Sequence, residues 1–132
     1  MNPDPIQEHR SDGETSMLFI HCESFHRWLV GTTVKFPRRI CYTLTHRIEN
    51  HSLDILEQIS QAWFTKDAQA KLAILESVNC LNTRLRILLR QAYYQKVLSP
   101  RRFEYAMTQV QTTGKMLGGW IKDAAERKGK QT

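Results

Sequence analysis

The sequence predicts an all-α domain, an antiparallel up-down-up-down four-helix bundle. Two observations carry this. Apolar residues recur at three- and four-residue steps in four stretches, and these stretches are separated by short proline-containing or polar breaks. A third agrees with them: no useful length of chain alternates apolar and polar residues with period two, as a half-buried strand would. Connections this short leave only antiparallel neighbours.

The first helix opens near Ser11 or Thr15, where Ser11 and Glu14 have capping-box spacing. It runs through Met17, Ile20, Phe25, Trp28 and Leu29 to about Val34. Phe36-Pro37 breaks it, and because proline suits a first helical position, the second helix is expected from Pro37. Its apolar face is Ile40, Leu44, Ile48, Leu56, Ile59 and Trp63. After Thr65-Lys66-Asp67, the third helix carries the most regular stripe: Leu72, Leu75, Val78, Leu81, Leu85, Leu88, Leu89 and Ala92. Leu98-Ser99-Pro100 then stops one helix and caps the next, which passes Phe103, Met107, Val110, Leu117 and Ile121 and fades near Lys128. The organisation that follows is a flexible acidic arm over 1–14, the bundle over 15–128 and a disordered basic tail over 129–132.

A chain of 132 residues with 41% hydrophobic content suits one core. It contains no apolar run of the roughly 20 residues that span a bilayer, and the polar, acidic start does not read as a signal peptide, so a cytoplasmic protein with no membrane partner is expected. Cys22, Cys41 and Cys80 are odd in number and widely spaced, which predicts small buried thiols. Glu23-x-x-His26 has the spacing of a bundle di-metal motif, yet its second copy is missing, and no two histidines share a face at four-residue spacing. Neither a GxSxG elbow nor a phosphate-binding glycine loop occurs. The expectation is a binding protein, not an enzyme, with no metal or cofactor.

Charge says what it should bind. Residues 1–23 carry five acids and one base, whereas residues 24–132 carry eighteen bases and eight acids. Such a surface attracts polyanions. The interval between Glu76 and Glu104 contains no acid but holds Arg84, Arg86, Arg90, Lys96, Arg101 and Arg102. At 100° per residue, Asn79, Thr83, Arg86 and Arg90 form a polar track beside the leucine stripe, with no carboxylate one turn from Arg86 or Arg90 on that helix. Solvated faces usually mix both signs, so this track is a candidate polyanion site. Tyr93 and Tyr94 read as packing residues. Gly114, Gly118 and Gly119, beside Trp120, each cost a helix roughly 1 kcal/mol, which close packing within the chain or a subunit contact would offset.

Over residues 17–130 the sequence resembles the Avd family, the accessory variability determinants of diversity-generating retroelements. The resemblance rests on Phe36-Pro37-Arg38, Leu85-Arg86-x-x-Leu89-Arg90, Leu98-Ser99-Pro100 and above all Leu117-Gly118-Gly119-Trp120-Ile121. It implies a homopentameric barrel of four-helix bundles with a basic central channel that binds the element's reverse transcriptase and RNA or DNA. The role it implies is mutagenic retrohoming, with the chemistry left to the polymerase. It places Arg86 and Arg90 in the channel and adds the pair Arg38 and Arg39. Four-helix-bundle proteins encoded in intervening sequences of bacterial ribosomal RNA genes share much of this patterning, and they imply an oligomeric protein-docking scaffold.

Overall fold

The computed structural model describes residues 13–131, which form four long helices: α1 (Gly13–Thr33), α2 (His46–Phe64), α3 (Ala68–Tyr94) and α4 (Pro100–Gln131). No strand occurs among the described residues, and none of their helices is long and apolar enough to cross a membrane. Ser11 and most of the predicted arm lie outside the described residues. At the other end α4 runs past the boundary predicted at Lys128, through residues 129–131. No proline stops it there, and Lys128 and Lys130 in the last turn complement the negative pole of the helix.

The helices pack in a ring, each against the next, with α4 returning to α1. Partners run in opposite order along neighbours. His21 meets Thr113 of α4, whereas Trp28, farther along α1, meets Tyr105. His26 meets Ser52 of α2, whereas Thr33 meets Glu49. On the other side, Asn82 of α3 reaches Val110 of α4, and Tyr93 stacks on Phe103. The turn after α1 and the turn after α3 therefore lie at the same end of the molecule.

Most of α3's predicted stripe is core: Leu75, Val78, Leu81, Leu85, Leu88, Leu89 and Ala92 are buried, and only Leu72 is half-buried. The phase of α1 differs from prediction. Leu18, Cys22, Phe25 and Leu29 are buried, while Met17, Ile20 and Val34 are exposed. Four consecutive apolar residues, Met17 to Ile20, leave the inward face undetermined by pattern alone. In α2 the buried line is Ile48, Ser52, Ile55, Ile59 and Ala62, with Leu56 and Trp63 at its edge.

The second helix does not begin as a regular helix at Pro37. Pro37 is extended and precedes a 3-10 turn (Arg38–Ile40) and a π-helical turn (Cys41–Thr45) before α2 proper. This irregular entry still buries Ile40 and Leu44. The other caps match their chemistry. Asp67 Oδ2 accepts from Ala70 N at 2.8 Å, and Ser99 Oγ accepts from Arg102 N at 3.2 Å with Pro100 opening α4. α3 ends in a Schellman motif: Val97 N–H donates to Ala92 O and Lys96 N–H to Tyr93 O. Lys96 occupies the left-handed position, at φ 64°, that glycine fills without strain. Lys96→Gly is therefore expected to raise folding stability by about 1 kcal/mol, read as a higher urea midpoint at unchanged m-value.

Buried polar residues pin the helices in register. Asn82 Nδ2 donates to Val110 O at 3.1 Å. His21 Nε2 lies 2.9 Å from Thr113 Oγ1, which itself donates to Gln109 O. His26 Nδ1 lies 2.9 Å from Ser52 Oγ, and burial pushes its imidazole below the ordinary value of 6.5, opposed by Glu49 and Glu23. A base harder to protonate when folded gives stability that is complete above the unfolded value and is lost as pH falls below it. Melting temperature is expected to fall as pH drops below about 6.5, and to fall less in His26→Gln.

Candidate nucleic-acid interface

Helix α3 carries its arginines on two flanks of one leucine stripe. Leu85 is 1% exposed, and the exposed residues on either side of it, Arg84 and Arg86, stand about 200° apart around the helix. They face different neighbours. Arg86 joins Asn79, Thr83 and the buried Asn82 in a groove of about 300 Å³ against α4, whose wall is Val110, Gln111, Gly114 and Lys115. This is the predicted polar track, supplemented by Lys115, and Arg90 is exposed one turn farther along α3. Arg84 faces away from it, into a groove against α2 with Arg47 and His51.

Lys96, Tyr93, Tyr94, Leu98, Ser99 and Pro100 line a hollow at the α3–α4 turn. Tyr93 packs as predicted, 4.4 Å from Phe103 in a stacked pair, but Tyr94 is 64% exposed, beyond the last buried turn. Arg101 and Arg102 are exposed in the first turn of α4, where the helix's positive pole disfavours cations. Arg38 and Arg39 are exposed in the 3-10 turn at the same end of the bundle.

The charge is thus polarised along the molecule. Segments 24–51 and 77–106, which meet at the end bearing the α1–α2 and α3–α4 connections, carry eleven bases and two acids. The rest of 24–132 carries seven bases and six acids. Glu49, one of the two acids, accepts a hydrogen bond from Thr33 Oγ1 at 2.8 Å. Among the described residues the salt bridges are Arg27–Glu23 and Arg127–Asp123, each at 3.2 Å, and neither uses an arginine of the acid-free interval.

The family model described as bAvd-like matches residues 16–124, most of the chain and every residue of these grooves. The chain belongs to the bAvd-like family. No curated protein and no solved structure matches it.

Within this Avd-type chain the glycine block needs a reading other than close packing. An added Cβ would meet nothing within 4 Å at Gly118 or Gly119, and at Gly114 only Asn82 Nδ2 at 3.7 Å, an ordinary contact. Gly118 and Gly119 are exposed, while Trp120 turns inward, 7% exposed, with Lys71 Nζ 5.3 Å from its ring centre. Gly118→Ala/Gly119→Ala is expected to stabilise the isolated bundle by roughly 1 to 2 kcal/mol through helix propensity. If the pair lies in a subunit contact, the same variant lowers the mass measured by light scattering.

The cysteines and histidines of the bAvd-like chain have local roles. Cys22 is buried beside Thr113, and desolvation, partly opposed by that hydroxyl, pushes its thiol up to about 12. Cys41 is half-buried, its Sγ 3.2 Å from His46 Nε2, and Cys80 is exposed, contrary to the buried reading, because it stands off the leucine stripe. Glu23 pairs with Arg27 and His26 with Ser52, so the two do not converge. No three histidine, cysteine, aspartate or glutamate side chains gather as a metal site among the described residues.

Proposed function

We propose that this Avd-type chain is the accessory protein of a diversity-generating retroelement, binding the element's reverse transcriptase together with RNA or DNA in support of mutagenic retrohoming. It does so as a homopentamer of up-down-up-down bundles in the cytoplasm, without a cofactor and without catalysis of its own. The observation that carries the reading is the basic end of the bundle, where eleven bases outnumber two acids and, of the arginines, Arg27 is paired, with Glu23 just outside the segment. Unpaired guanidinium groups suit phosphates, which they grip with two parallel hydrogen bonds. Exposed Met17, Ile20 and Val30 on α1, Val34 just after it, and the open glycine surface of α4, are surfaces that a homo-oligomer would cover.

Co-expression with the reverse transcriptase of the same element tests the proposal. The two proteins are expected to copurify, and the chain alone to scatter light as five copies of its 15.5 kDa mass. A monomer that ignores the polymerase would refute it. The open glycine surface also suits a second reading, an oligomeric protein-docking scaffold of the ribosomal-RNA intervening-sequence type. In that case Arg86→Ala weakens a protein partner while RNA binding at physiological salt is negligible.

A further inference from the structure

We propose that the groove between α2 and α3, lined by Arg47, His51, Arg84, Ile87 and Leu88, is a second nucleic-acid backbone site, separate from the Arg86 groove. This rests on the reading of the chain as a nucleic-acid binder. The groove encloses about 290 Å³ and draws one arginine from each helix. Arg47 and Arg84 are exposed, and neither forms a salt bridge with a described carboxylate. The nearest acid before His51, Glu49, is turned to α1 by Thr33. Asp54, one turn beyond His51, bounds the basic stretch on the side away from the basic end.

The wall between the two arginines is apolar: Ile87 is 51% exposed and Leu88 lies beneath it. Two guanidinium groups across an apolar strip suit a sugar–phosphate chain lying along the groove, with phosphates on the arginines and sugar or base against Ile87. His51 is held in place by its Nδ1–H, which donates to Arg47 O at 2.7 Å, so its ring reports on the groove without being needed for binding. Because Arg84 and Arg86 face opposite flanks of α3, one bundle would contact nucleic acid on both.

The test compares the full-length wild type, Arg47→Ala/Arg84→Ala and Arg86→Ala/Arg90→Ala, titrated with a fluorescent single-stranded RNA across a salt series. Melting and oligomer mass are checked for each. Removing two arginine–phosphate pairs from the α2–α3 groove is expected to reduce affinity roughly tenfold and the salt slope by about 1.4. The His51 ring resonances should still move on adding RNA to Arg86→Ala/Arg90→Ala. Unchanged affinity and slope in Arg47→Ala/Arg84→Ala, with loss confined to Arg86→Ala/Arg90→Ala, overturns the second site and leaves the first reading standing. A wild type that binds no RNA removes both. Polyglutamate competing as well as RNA at equal charge overturns the nucleic-acid assignment and makes the groove an acidic-protein dock.

Discussion

Replacing Arg86 and Arg90 together with alanine is expected to weaken binding to RNA and to duplex DNA at least roughly tenfold at about 0.1 M salt, with no loss of folding. Both side chains are exposed, and neither has a carboxylate partner among the described residues, so removing them should shift folding stability by less than about 0.5 kcal/mol. Each phosphate that the variant leaves unneutralised should flatten the plot of log affinity against log salt by about 0.9 for duplex DNA. In an oligomer the loss repeats in every copy, so the effect grows with subunit number. Arg86→Lys/Arg90→Lys should keep most of the slope but lose some affinity, because an ammonium is a point charge without the planar fork. Fluorescence anisotropy across salt, with oligomer mass checked by light scattering, reads all of these. An alanine variant of unchanged mass that binds like wild type would remove the groove from the site.

The second large effect concerns the scaffold between the two grooves. Leu85→Ala is expected to destabilise the bundle by about 2 to 5 kcal/mol, the range for truncating a buried leucine in a close-packed core. Leu85 is 1% exposed on the helix that packs against both α2 and α4. Domains of this size are held together by only about 5 to 15 kcal/mol, so the loss should show as a large fall in the urea midpoint. Arg84 and Arg86 flank Leu85, so RNA affinity should fall with folding and return wherever the variant is still folded. Leu85→Met, which keeps volume and apolarity, should cost less than about 1.5 kcal/mol.

How much of this is legible in the sequence differs from helix to helix. The leucines of α3 recur without ambiguity, and Asp67, Ser99 and Pro100 state their caps through side-chain chemistry. The phase of α1 is not legible, because Met17, Leu18, Phe19 and Ile20 are all apolar and only the neighbours decide which turns inward. Ser52, Asn82 and Thr113 are buried polar residues that an apolar pattern skips, and each is placed by a partner on another helix. The π-helical entry to α2 has no signal beyond Pro37. For the site, the track of Asn79, Thr83, Arg86 and Arg90 follows from winding one helix. The same winding separates Arg84 from Arg86, although they are two apart in the chain. Lys115 and Arg47 join the grooves only through pairing between helices, information that spacing along one helix does not contain. The polarity of charge along the bundle depends equally on which connections share an end.

If the basic end of this bundle binds nucleic-acid backbone, as proposed, wild-type binding must weaken with salt. The measurement is affinity for a single-stranded RNA and for duplex DNA of unrelated sequence from about 0.05 to 0.3 M salt. Log affinity is expected to fall linearly with log salt, with a slope of about 3 or more and little dependence on sequence, as counterions leave several phosphates at once. Binding that is absent at the lowest salt, or that is indifferent to salt, would contradict it.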